Sequence, residues 1–314
     1  MLQKASPSTQ ATGVSTRAAS VLSWAGLVST RQPSLLDDPP ATLGPDEIAA
    51  LPVTQLRQGM GELLLGRYAQ HGLEALLCTG ILKVWLPEVH ALVGFGDGEW
   101  RHKDVWKHTK QVVWQSVPRL AVRWGALLHD VGKVHTRSID ERGQVHFFGH
   151  SEVGAAMFRR RIGPRLQLPT ELHQRVHFLI LHHLRASQYD GTWTDSAVRR
   201  FYKEMGSGLK DLLDLSRADI TTKRVEKRRR GLRQISELSR RIADLIKRDS
   251  IVPPLPKGLG TAIGERFGIP PSKRIGDLRR WLEQEVEAGR IEPHKGVGYY
   301  LAVLVEHGEV LCLE

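Results

Sequence analysis

The chain has 314 residues, 41% of them hydrophobic, enough for one large domain or two modest ones with a real core. Its 45 Lys and Arg against 34 Asp and Glu give a net charge of +11, which favours polyanionic partners, nucleic acid first. Two distant cysteines, Cys78 and Cys312, fit no metal-ligand spacing and read as reduced thiols of a cytoplasmic protein, and no stretch approaches the roughly 20 apolar residues of a membrane span.

Residues 1–45 are rich in Ser, Thr, Ala and Pro, with no acidic residue before Asp37, and read as a disordered, untargeted leader. From Asp46 the texture changes. Leu56, Met60, Leu63, Leu64 and Tyr68 recur at helical spacing, and short helices are expected at Gly72–Cys78 and Ile81–Val93, split by Gly80. Asp104 is a plausible N-cap for a helix to Val117, and Arg119 to Asp130 is the next, stopping at Gly132. Ser138 to Phe148 reads as a small hairpin turning at Asp140 to Gly143. Helices resume with Thr170 to Leu184, Thr194 to Met205, Ser207 to Thr221, and a long basic one over Thr222 to Lys247. The Pro-rich stretch Val252 to Pro256 marks a boundary, and three further helices follow, at Gly258–Phe267, Ile275–Ala288 and Val297–Glu306. The sum is an all-α protein with one minor hairpin: a leader over 1–45, a helical body over 46–251 and a small helical tail over 252–314.

Chemistry concentrates around the run from Trp124 to Lys133, where His129 and Asp130 stand side by side at the end of an apolar helix. Burying such a pair has one common physical reason, a divalent metal bound by imidazole nitrogen and carboxylate oxygen. The two positions lie roughly 100° apart on a helix, so both reach one ion only near its end. Further candidate ligands, each on or beside an expected helix, are His108, His150, His182 or His183, and Asp219. A carboxylate at Asp219, closing the apolar run from Leu212, is costly unless paired or coordinated.

A His, a His-Asp pair and a distant Asp, in this order, resemble the HD superfamily of metal-dependent phosphohydrolases; His150 with His182-His183 resembles members that hold a second metal. The flanking sequence narrows the resemblance. Gly80 to Glu88, Asp104 to Thr109, Phe147 to His150, Trp193 to Phe201, Leu215 to Asp219 and Phe267 to Asp277 are similar, in order, to the body and tail of bacterial tRNA nucleotidyltransferases (CCA-adding enzymes) and related poly(A) polymerases. That family's catalytic head, with its Gly-Gly loop and paired Asp, has no counterpart in residues 1–47, so no nucleotide-adding activity is expected. The family often has Glu directly after the His that matches His150; here Ser151 intervenes before Glu152.

The resemblance implies an HD-domain helical bundle whose one or two divalent ions activate a water against a nucleotide or RNA-end phosphoester, such as a 2′,3′-cyclic or 2′-phosphate. His108, His129, Asp130 and Asp219 would hold one ion, and His150 with one of His182 or His183 would help hold a second. The donor set suits Mn, Fe, Co, Ni or Zn, with Mg as a further option. His129, Asp130 and Lys133 are then the catalytic set. Lys133 reads equally as a charge for a phosphate oxygen or as an exposed lysine after a helix end. Arg200 is a basic residue for the same charge or, with the edge, a structural partner, and His102 is a substrate contact or a support to His108. The basic run Lys223, Arg224, Lys227, Arg228, Arg229 and Arg230 fits contact with tRNA or other RNA backbone, or a solvated face. An alternative to the enzyme is an RNA-binding module derived from a tRNA nucleotidyltransferase, without catalysis of its own or partnering a separate head. His173 and His177, four apart on one helix face, read as surface residues.

Overall fold

The computed structural model describes residues 8–96, 104–250 and 253–308, so the expectations on His102 and Cys312 lie outside the described residues. The chain divides into two compact units, Met1–Ala243 and Asp244–Glu314. The architecture is all-α with one two-stranded hairpin. No helix among the described residues is long and apolar enough to cross a membrane.

The first unit corrects the expected leader. Ser8–Thr30 is a helix, α1. Ala18, Val21, Leu22, Ala25 and Val28 are buried along one face, a stripe at i, i+3, i+4, i+7 and i+10 that docks on the next two long helices, α2 (Val53–Leu65) and α3 (Ala69–Cys78). Those helices meet it with glycines. A Cβ on Gly59 would lie 2.7 Å from Leu22 Cδ2, and one on Gly72 2.6 Å from Ser29 Cβ. The Ser29 hydroxyl donates to Leu63 O at 2.5 Å, and Tyr68 N–H donates to Ser29 O at 2.7 Å.

The centre of this unit is α5 (Leu120–Leu128), which follows α4 (Val105–Gln115). Asp104 caps α4 as expected, accepting from Lys107 N–H at 3.2 Å. Val122, Trp124, Ala126, Leu127 and Leu128 of α5 are all buried. Gly125 lets Leu179 approach where a Cβ would sit at 3.0 Å. Arg123 is buried without a carboxylate: its guanidinium donates to Ser116 O at 2.8 Å and Leu64 O at 3.0 Å, tying the ends of α4 and α2 to α5. Those carbonyls sit at the negative ends of two helix dipoles and receive the charge.

The hairpin, β1 (Ser138–Ile139) and β2 (Val145–His146), is antiparallel, with Ser138 opposite His146 and Ile139 opposite Val145. After it, where the sequence shows no clear periodicity, the chain is helical: α6 (His150–Met157) runs through a π-turn at Phe158–Ile162 to Leu166. Then come α7 (Thr170–His182), α8 (Asp195–Met205), α9 (Leu209–Ala218) and α10 (Val225–Ser250). Thr194 caps α8, whereas α7 starts from Pro169 and Thr170 is its first residue.

In the second unit α11 (Leu259–Phe267), α12 (Lys273–Glu287) and α13 (Val297–Glu306) enclose a core of Leu255, Leu259, Ile263, Leu278, Leu282, Tyr300, Val303 and Leu304. The Tyr300 hydroxyl meets the carbonyls of Pro254 at 3.0 Å and Glu292 at 2.9 Å.

Candidate metal centre

Five helix ends and faces of the first unit bring four imidazoles and two carboxylates together. His108 comes from the buried side of α4, His129 caps the C-terminus of α5 with Asp130 next to it, His150 opens α6, His183 caps α7 and Asp219 caps α9. They form two sets, His108–His129–Asp219 and Asp130–His150–His183, in each of which the ligand atoms lie within 4.8 Å of one another. Asp130 stands between the sets. Its Oδ2 is 3.2 Å from His129 Nε2 and 3.6 Å from His108 Nε2, and its Oδ1 is 3.5 Å from His150 Nε2. Asp219 Oδ1 is 3.0 Å from His108 Nε2 and 3.6 Å from His129 Nε2.

The tautomers follow from the outer nitrogens. His129 Nδ1 is 2.8 Å from Ala126 O, His150 Nδ1 2.7 Å from Phe147 O and His183 Nδ1 2.7 Å from Ile180 O. A carbonyl only accepts, so each of these Nδ1 atoms carries the proton and each neutral Nε2 is a bare lone pair. His108 Nε2 lies 3.3 Å from His129 Nε2, but its Nδ1 meets the Thr221 hydroxyl at 2.8 Å, which can donate or accept, so that partner does not fix its tautomer, whereas His150 and His183 set their Nε2 atoms 3.1 Å apart. Two lone pairs at that distance repel, and a shared cation resolves the conflict. The donor set of two imidazole–carboxylate triads therefore fits a divalent metal.

The local electrostatics differ between the two sets: burial opposes charge on His129, but the Asp130 carboxylate beside it outweighs that and raises its imidazole above the usual range. Burial pushes the His183 imidazole down to about 4, which keeps it neutral. Burial opposes ionisation of Asp219 as well, but its hydrogen bond with His108 and the nearby imidazoles outweigh that and bring it down to about 2. Asp130, buried, is likewise held well below the usual carboxylate range by His129 and Lys133.

Gly132 is needed here for a reason other than ending a helix. Its φ is −71°, an ordinary value, but a Cβ would sit 2.1 Å from His150 O and 2.7 Å from Gly154 N. The loop carrying His129 and Asp130 thus lies directly against the backbone of α6.

The centre opens into a cleft of about 740 Å³. Lys133 lies on its wall, with Nζ 2.7 Å from Asp130 Oδ2 and 5.5 Å from the centre of the Phe147 ring. Val105, Phe147 and Ile220 give it apolar lining, and Arg224, just before α10, with Lys227 and Arg230 of α10 gives it cationic lining. None of these three cations has an ion-pair partner among the described residues. The other expected RNA contacts, Lys223, Arg228 and Arg229, are exposed outside the cleft, Arg229 against Glu226 at 3.3 Å. Two expected residues are not brought to the centre. His182 packs its ring 4.7 Å from Phe178, because one residue along a helix turns the side chain to another face. Arg200 is exposed on α8 and does not line the cleft. His173 packs against Phe158 at 4.7 Å, away from the two sets. Glu152 is exposed and accepts from the Ser151 hydroxyl at 2.8 Å.

Comparison with known proteins bears on the same residues. Residues 104–245 match the family model described as HD domain. The chain is 33% identical over 252 residues to the CC-adding tRNA nucleotidyltransferase of Thermus thermophilus, covering 77% of this chain and 55% of that protein. It is 30% identical over 245 residues to the A-adding tRNA nucleotidyltransferase of Deinococcus radiodurans, covering 76% and 55%. A Multifunctional CCA protein of Mannheimia succiniciproducens is 27% identical over 147 residues. The chain spans about half the length of the first two relatives.

Proposed function

Because this chain carries an HD domain over residues 104–245, we propose that it is a metal-dependent phosphohydrolase acting on a nucleotide or RNA-end phosphoester, such as a 2′,3′-cyclic or 2′-phosphate. The observation that carries this reading is the convergence of four imidazole Nε2 atoms and two carboxylates at the base of a cation-lined cleft. When bound there, a divalent ion supplies Lewis-acid polarisation and a water of lowered pKa.

The chain's own groups do the rest. The carbonyls of Ala126, Phe147 and Ile180 hold the imidazoles in one tautomer and orientation, so the ligand set is formed in advance. Lys133, anchored on Asp130, offers its remaining N–H bonds to a phosphate oxygen and balances charge that builds there. Arg224, Lys227 and Arg230, which also line the cleft, attract and orient the phosphoester. The apolar lining at Val105, Phe147 and Ile220 suits the face of a nucleoside.

The test is hydrolysis of 2′,3′-cyclic AMP by protein reconstituted with Mn, Ni, Co or Mg, beside the His129→Ala/Asp130→Ala variant. Turnover that disappears in the variant is the expected result. Absence of turnover in folded, metal-loaded protein would favour the second reading, an RNA-binding module. The motive for that alternative is the exposed basic face of α10 together with relatives whose names refer to tRNA.

A further inference from the structure

A second pocket of about 540 Å³ lies within the first unit. Trp114, Arg217, Arg228 and Leu232 line it, together with Asp214 and Ala218. Trp114 leaves half of its surface exposed, an unusual cost for an indole without a partner. The pocket's charge is one-sided. Asp214 is its only acidic residue and is already held by two arginines, Arg217 at 2.9 Å and Arg119 at 2.5 Å. Arg228 is exposed and has no ion-pair partner among the described residues. An apolar ring beside a free guanidinium is what a base and its phosphate require: the ring stacks and the cation meets the backbone.

The two pockets are lined by neighbouring residues of the same elements. Asp219 belongs to the metal centre, and Ala218 beside it lines the second pocket. The carbonyl of Arg224, just before α10, accepts the Arg228 N–H at 2.9 Å, one turn on; the first residue lines the cleft and the second the pocket. His108 and Trp114 lie about 9 Å apart along α4, six residues at about 1.5 Å each. A short strand whose end enters the cleft can therefore lay a neighbouring base against Trp114.

We propose that this pocket binds a base and phosphate of a single-stranded RNA flanking the reacting end, so that the preferred substrate is an oligoribonucleotide end and not a free mononucleotide. The inference rests on the proposed phosphohydrolase for the reaction, and stands independently of it for binding. Nothing in the metal cleft is needed to form the pocket.

The experiment measures anisotropy of a 5′-fluorescein hexaribonucleotide ending in a 2′,3′-cyclic phosphate, titrated with metal-free full-length protein, and separately the hydrolysis of 2′,3′-cyclic AMP by metal-loaded protein. Trp114→Ala and Arg228→Gln each weaken oligonucleotide binding roughly tenfold, the size of a lost stacking or phosphate contact, and Trp114→Phe restores most of it. Both variants leave kcat and KM for the mononucleotide unchanged. Both side chains are at the surface, and an unaltered unfolding midpoint verifies the fold of each variant. Oligonucleotide binding equal to that of the parent in both variants overturns the inference, even if hydrolysis is observed. Equal losses for oligonucleotide and mononucleotide also overturn it, because the pocket then acts through the cleft. If neither substrate is hydrolysed but binding falls in the variants, the phosphohydrolase reading fails and the RNA pocket stands.

Discussion

At the scale of single residues, the metal centre was legible in part, and the illegible part has a geometric cause. The His129-Asp130 pair announces itself because two adjacent polar residues close an apolar helix. The choice between His182 and His183 does not, since both follow Leu181 and neither spacing nor polarity separates them. It depends on where α7 stops: His183 caps the helix and turns its Nε2 inward, while His182, still helical, packs on Phe178. Arg224, Lys227 and Arg230 were visible only as part of a charge run. The cleft-facing register of α10 could have been read from the positions 227, 230, 231 and 234, which share one helical face and all line the cleft. One comparison isolates the point. His183→Ala is expected to lower the bound transition metal per protein, measured by mass spectrometry of dialysed samples, and His182→Ala to leave it unchanged. Equal losses from both would contradict the assignment of His183.

At the scale of elements, the sequence reading lost two helices for the same reason: composition outweighed periodicity. Ser8–Thr30 has the Ser and Thr content of a linker, yet Ala18, Val21, Leu22, Ala25 and Val28 keep a buried stripe and find glycines on α2 and α3 to dock against. Likewise His150 to Leu166 carries three consecutive arginines, which mask the buried Ala155, Phe158 and Ile162 on either side of them. Close backbone approach, by contrast, is written in glycines, and two substitutions test it. Gly72→Ala drives a Cβ into Ser29 and the buried Leu63, so we expect a loss of about 1–3 kcal/mol in urea unfolding and faster proteolysis within α1; an unchanged midpoint would mean that α1 docks more loosely. Gly132→Ala meets only backbone, His150 O and Gly154 N, so α6 must move as a unit. A similar loss of about 1–3 kcal/mol is expected, accompanied by weaker metal retention because His150 moves with the helix. Destabilisation with full metal retention would separate the loop from the centre.

At the scale of the whole molecule, the all-α architecture was readable from helical periodicity and the HD resemblance together, whereas the division of the chain was less so. The Pro-rich stretch at Val252 to Pro256 suggested a boundary, but α10 continues past Ala243, where the first compact unit ends, because no breaker interrupts its polar, helix-favouring sequence. The centre also has a consequence for folding. Its six ligands come from five separate helices between His108 and Asp219, and no single hairpin of helices contains a complete triad. An unfolded chain therefore offers a cation nothing comparable, and occupancy must draw the folding equilibrium toward the assembled state by mass action, by roughly 2.7 kcal/mol at a free metal concentration a hundred times the dissociation constant. Chelator should lower the melting temperature of the metal-loaded protein, graded excess of Mn should raise it logarithmically, and Asp219→Ala should flatten that response. In such a chain a bound cation would act as a clasp on the tertiary structure, and metal supply would become a determinant of how long the folded protein survives.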